Sequence, residues 1–255
     1  MVSYINNYWS FILPWHGTTR VPARVESKTL KTVANFRQRA RSAEQKAARR
    51  QRVLDDAEFY FLEVGYEAFS LTQLAKRADV VKGTLYLYFQ TKEELFLTLY
   101  EQSLERWSEA FIASLPSQLT SERYAELLYT TAMADGTFVP LLIRLEHVIE
   151  HNVSIDRLIA SKRLFISQVE TIAAKTSAAL ALSSEQATEV VKTMGVLLIG
   201  ATRSDQGPAL DQEDLPGDVS ALIESFASQP LFVKNAVRII EGIRGEPTNT
   251  HLSRT

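Results

Sequence analysis

The chain has no cysteine, which excludes disulfides, thiolate catalysis and cysteine-ligated zinc and suits a reducing cytoplasm. It has no convincing strand alternation, so a sheet-based fold is excluded as well. It lacks any apolar run long enough to span a bilayer: the cluster of Tyr4, Ile5, Tyr8, Trp9, Phe11, Ile12, Leu13 and Trp15 is interrupted at Pro14. The same segment has neither the positive start, the longer apolar region nor the small-residue cleavage site of a secretory signal. A sticky extension, a surface anchor and an artefact of start-site choice all stay open for it. Internal repeats and low-complexity tracts are absent too.

What is present is an ordinary globular composition, 255 residues that are 45% hydrophobic and 23% charged, enough to bury a sizeable core. The net charge of −2 hides an asymmetry. Between Arg20 and Arg52 eleven Lys and Arg residues face only Glu26 and Glu44, so that stretch carries +9 and the remainder −11. Such a division suggests a polyanionic partner for the basic end; a solvated arm is the alternative.

Apolar spacing predicts helices throughout the chain after residue 42. The first covers 43–64, with Val53, Ala57, Phe61 and Val64 on one stripe and Gly65 ending it. A short helix opens near Ser70 and carries Leu71, Leu74, Ala75 and Ala78; Asp79-Val80-Val81 makes a turn, and a third helix covers 82–89. Thr91 with Glu94 reads as a capping box opening a long helix that stops at Leu115, before Pro116. Further helices are predicted over 121–134, 137–152, 155–181, 184–203, 218–227 and 231–244, with a loop over 207–217. The fold class is all-α: an N-terminal three-helix helix-turn-helix domain, then a larger helical domain.

Two short helices joined by a turn of three or four residues fit the major groove of DNA when the second exposes polar and aromatic residues. The residues themselves sharpen this. Arg50 to Ala57, Phe61, Gly65-Tyr66, Ser70-Leu71, Leu74-Ala75, Lys82-Gly83-Thr84-Leu85-Tyr86, Tyr88-Phe89 and Lys92 to Leu95 together resemble the DNA-binding domain of TetR-family, tetracycline-repressor-like, regulators. Beyond residue 110 the resemblance is architectural only.

The resemblance implies that Lys82 and Gly83 approach the duplex closely, that Thr84 and Tyr86 reach bases or phosphates, and that Tyr88 and Lys92 contact the backbone. It implies that Ser70 and Thr72 hold the opposite phosphate row. Leu85 and Phe89 read as core, on the inward face with Leu74 and Val80. Phosphate contacts set register and base contacts set sequence choice. Three positions depart from the family pattern: Asp79 replaces a frequent glycine, Val81 a common capping serine, and Leu87 a position often aromatic or polar, where it offers apolar contact such as to a thymine methyl.

The family pattern further implies a homodimer, a palindromic operator in double-stranded DNA, an unidentified small-molecule effector and repression relieved by that ligand. It places the protein in the cytoplasm, on the nucleoid. The expected organisation is a flexible basic extension over 1–42, the DNA-binding domain over 43–92, the effector and dimerisation domain over 93–246 and a tail over 247–255. Helices 184–203 and 231–244 are the candidates for the dimer bundle, with ordinary intramolecular core as the alternative. Arg144, His147 and His151 are candidates for the effector cavity. His147-Val148-Ile149-Glu150-His151 also spells the H-x-x-E-H zinc signature of certain proteases. A metal-dependent hydrolase is therefore the competing reading, although nothing nearby supplies the rest of a protease. No cofactor, structural metal or catalytic residue is expected.

Overall fold

A computed structural model describes residues 23–203 and 215–246, without the side chains of 23–42, Glu146 and His147. The N-terminal aromatic cluster, most of the 207–217 loop and the 247–255 tail lie outside the described residues. Among those described there is no strand. The helices are α1 (Ala23–Ala68), α2 (Leu71–Arg77), α3 (Lys82–Tyr86), α4 (Lys92–Ser114), α5 (Ser121–Ala134) and α6 (Phe138–Arg144). They continue with α7 (Ile155–Leu180), α8 (Ser184–Arg203), α9 (Gly217–Ser225) and α10 (Ser228–Gly245). No described helix is long and apolar enough to cross a membrane.

The chain divides into two units, Met1–Arg49 and Arg50–Thr255. In the first, helix runs from Ala23 onward, which corrects the expectation of a helix starting at Ala43. Residues 34–50 are dominated by Ala, Arg, Gln, Lys and Glu, all strong helix formers. They carry too few apolar residues for periodicity to show it. The break at Gly65 is real: its φ of 72° and ψ of −179° interrupt α1 where glycine alone adopts such a backbone freely.

In the second unit, Val53, Leu54, Ala57 and Phe61 of α1 are buried together with Leu74 and Ala75 of α2, Leu85 of α3 and Phe89. The ring of Phe96, on α4, is the hub of this core. It lies 5.4 Å from Phe61, 4.7 Å from Tyr66 and 4.8 Å from Phe69. Aromatic pairs of this kind add about 0.5–1.5 kcal/mol each beyond their area. The same helix continues through Tyr100, Leu104 and Phe111, all buried, so α4 bridges the boundary read at 92/93 and residues 50–255 form one unit. Thr91 caps α4 by accepting from the Glu94 amide at 3.0 Å, and the Glu94 carboxylate accepts in return from the Gln90 amide at 2.7 Å.

Helices α7 and α8 pack together, α10 packs on α5 and α8, and α4 lies against α5 and α7. Val190, Met194, Leu198, Phe232 and Ile240 are buried inside this bundle. On the same two helices Val191, Val233 and Ile239 are half-buried and Val196 is exposed. The segment 137–152 is not one regular helix. After α6 it passes through a π turn over Leu145–Ile149 and a 3₁₀ turn over Glu150–Asn152. Arg144 Nη1 donates to the Pro140 carbonyl at 3.1 Å and Asn152 Nδ2 to the Val148 carbonyl at 2.8 Å. These side chains engage carbonyls that a regular helix offers to backbone amides.

Candidate nucleic-acid interface and cavity

Helix α3 has five residues and buries one side chain, Leu85, at 1% exposure. Lys82, Gly83, Tyr86 and Leu87 are exposed, and Thr84 and Tyr88 are half-buried. Exposure reaches 46% at Tyr86 and 75% at Leu87, large values for side chains that folding alone would favour burying. The turn before α3 depends on Asp79, whose φ of 49° lies in the left-handed region that Asp tolerates better than most residues. The Ala75 carbonyl accepts from the Val80 amide at 2.9 Å across that turn. Val81 occupies the N-cap position with φ −69° and ψ 138°, has no side-chain acceptor to offer, and is 77% exposed. A side chain at Gly83 would meet nothing within 4 Å, so the fold does not require glycine there. Ser70 caps α2 by position only, with no side-chain hydrogen bond, and Thr72 is exposed two residues along.

Lys92 is differently placed. Its Nζ donates to the Tyr66 carbonyl at 2.7 Å and lies 4.3 Å from the centre of the Tyr66 ring. The ammonium thus adds a charged donor to a carbonyl, just past the break at Gly65, that also accepts from the Phe69 amide at 3.4 Å. Burial holds its pKa below the ordinary lysine value, with Glu93 and Glu67 opposing that shift. Tyr66 in turn donates to Glu93 at 3.3 Å, and burial followed by the Glu93 charge pushes its pKa up to about 12. Arg50, which spacing did not single out for a role, lays its guanidinium 4.8 Å from the Phe89 ring centre beside α3.

A cavity of about 270 Å³ opens among α4, α5, α6, α7 and α8. Its floor is apolar and aromatic, formed by Tyr100, Trp107, Tyr124 and Phe138, with Leu198 and Ile172 beside them. Tyr124 donates to or accepts from Thr176 at 2.9 Å, whereas the buried Tyr100 hydroxyl has no hydrogen-bond partner among the described residues. Burial pushes the Tyr100 phenol well up, with Glu150 and Glu101 adding to the shift, so it stays protonated. Glu150 lines the wall and pairs with Lys162 at 2.7 Å.

This arrangement corrects the cavity residues expected from sequence. Arg144 does not line the cavity; its Nη2 meets Glu67, at the end of α1, at 3.1 Å. His151 is exposed on the 3₁₀ turn and is also absent from the lining, and the side chain of His147 lies outside the described residues. The H-x-x-E-H reading meets a further obstacle. Its histidine positions are separated by a change from π to 3₁₀ winding rather than one regular helical turn, and its glutamate is engaged by Lys162. The residues sequence reasoning missed, Tyr100, Lys162, Lys192 and Arg203, come from α4, α7 and α8, and spacing carries no signal for their meeting with Glu150, which the sequence offered as part of H-x-x-E-H.

A short helix seated by one leucine, turned outward behind a left-handed residue and preceded by a second short helix, defines a helix-turn-helix protein. Residues 53–99 match the family profile described as bacterial regulatory proteins, tetR family, and residues 101–211 match the tetracyclin repressor-like C-terminal domain. The chain belongs to the TetR family. It is 27% identical over 84 residues to the fatty acid metabolism regulator protein of Bacillus subtilis, covering 33% of this chain and 43% of that one. It is 39% identical over 72 residues to an uncharacterized HTH-type transcriptional regulator, YhgD, of the same organism, covering 27% and 38%. These matches therefore span about two fifths of the curated relatives' length. Among solved structures, a transcriptional regulator from Rhodococcus sp. Rha1 shares the fold with a TM-score of 0.52 at 16% identity, over 78% of this chain and 99% of that one.

Proposed function

We propose that the chain is a DNA-binding transcription repressor that acts in the cytoplasm as a homodimer, grips a palindromic operator through α3, and lets go when a small molecule enters the cavity. The observation that carries this reading is the outward face of α3: Lys82, Tyr86 and Leu87 are exposed while Leu85 alone secures the helix. In this reading Thr84, Tyr86 and Leu87 meet base edges, and Ser70, Thr72, Lys82 and Tyr88 meet phosphates. Gly83 serves close approach, since the free protein has room for a side chain there. Lys92 is assigned to holding α4 against the end of α1. The family of regulators to which the chain belongs and the dimer-borne half-site spacing of about 34–36 Å common to helix-turn-helix readers support the arrangement.

The test is a gel shift with full-length protein on palindromes from its own upstream region. Lys82→Ala together with Tyr86→Ala should abolish a shift that weakens steeply with salt, because each lost phosphate contact removes about 0.9 from the log–log slope. Absence of any salt-sensitive, sequence-selective binding overturns the proposal. The hydrolase alternative has no observation in its favour.

A further inference from the structure

We propose that the cavity selects an amphipathic organic anion: an acid whose charged head stays at the rim among Lys192, Arg203 and Lys162, whose apolar body lies along the aromatic floor, and whose far end brings an oxygen to the Tyr100 hydroxyl. This rests on the effector reading above and adds the chemistry of the ligand.

The floor and the rim differ in kind. Tyr100, Tyr124, Phe138 and Leu198 are each at most 2% exposed, so the interior asks for an apolar occupant. The rim is where the lining becomes exposed, at Lys162, Phe165, Lys192, Val196 and Arg203, between α7 and α8. Every charged residue on that rim is a cation. Glu150 is the acid among the described lining residues, and it sits deeper with its charge already answered by Lys162. Neither Lys192 nor Arg203 forms an ion pair among the described residues. They stand eleven positions apart on α8, about 16 Å along the axis, and so flank the mouth from both ends. A lipophilic cation entering here would meet a net positive wall, whereas an anion would keep part of its hydration and gain Coulomb attraction.

Tyr100 supplies the second, independent observation. It is 1% exposed, faces the cavity, and its hydroxyl is without a partner among the described residues, a condition that costs free energy unless something in the cavity answers it. A buried phenol that remains protonated keeps an O–H to donate, and an acceptor oxygen on the ligand answers it. Specificity in apolar cavities comes from a few polar points of this kind.

Titration calorimetry on the full chain tests the assignment with four probes of one length: decanoate, decanol, decyltrimethylammonium and ω-hydroxydecanoate. Decanoate should bind at least about tenfold more tightly than the cation and more tightly than decanol. Lys192→Glu or Arg203→Glu, both on the exposed rim and harmless to folding, should weaken decanoate about threefold or more and narrow its lead over the cation. ω-Hydroxydecanoate should exceed decanoate about two- to tenfold, the worth of one net hydrogen bond, and Tyr100→Phe should erase that advantage. A cation bound as tightly as the anion, indifference to both rim reversals, or no binding by any probe overturns the proposal. The operator shift measured without ligand separates this from the regulator reading. An intact shift with no decanoate heat sinks the ligand class alone, and saturable decanoate binding without any shift sinks the regulator reading alone.

Discussion

Replacing Lys92 with methionine separates two roles that one lysine can play beside a duplex. The substitution keeps most of the stem and removes the ammonium, and with it the 2.7 Å bond to the Tyr66 carbonyl and the contact 4.3 Å from the Tyr66 ring. A hydrogen bond from a charged donor contributes about 1.5–3 kcal/mol and an exposed cation–π contact about 0.5–1 kcal/mol. Burial depresses the pKa of this lysine, so part of that gain offsets desolvation of the charge, and the low ends of both ranges are the appropriate ones. Together they give a loss of about 2 kcal/mol. For a chain of this size that corresponds to a fall in Tm of roughly 4–8 °C. Urea unfolding of the DNA-free protein measures the first quantity, and gel shifts from low to moderate salt measure the second. The clamp role requires reduced stability with an unchanged salt slope. Unchanged stability with a slope reduced by about 0.9 per subunit would instead make Lys92 a plain phosphate contact, and the structural argument would be refuted.

Val81→Ser should supply the acceptor that the α3 N-cap lacks and raise stability by about 1 kcal/mol in urea titrations; no gain would mean that the α3 amides are already satisfied. Ala181→Gly should add about 0.5–1 kcal/mol, because Ala181 ends α7 with φ 52°, where a Cβ is strained, and unchanged stability would remove strain from that cap. Alkaline pH should destabilise the protein between about pH 10 and 12. Tyr66 is held up to about 12 and Tyr100 and Tyr124 are also raised, so unfolded tyrosines release protons at pH values where the folded ones keep theirs, and stability falls as pH rises. Phenolate absorbance followed alongside unfolding checks it, and a flat stability profile over that window would contradict it.

Local chemistry carried much of this fold in the sequence. Thr91 with Glu94 announced the start of α4, Gly65 the break in α1, and the apolar stripe of α8 gave its bounds as Ser184–Arg203. Each of these depends on residues within a turn or two of one another. The start of α1 at Ala23 was illegible because helix propensity without an apolar face leaves no periodicity to read. The π turn after Arg144 escaped because it arises where side chains meet carbonyls, not from residue type. Arg144 itself was misassigned for a related reason: spacing places a residue on a helix but does not say that Glu67, 77 positions earlier, waits on the facing surface. The cavity was the least legible part, since Tyr100, Lys162 and Lys192 come to line one space only through the packing of α4, α7 and α8.

The brevity of α3 has an evolutionary consequence. A helix that lends one leucine to the interior leaves Lys82, Thr84, Tyr86 and Leu87 outside the account of folding, so exchanging them alters what is recognised while the scaffold stays intact. Descendants of this chain can therefore acquire new targets by single substitutions, without first finding a compensating change elsewhere.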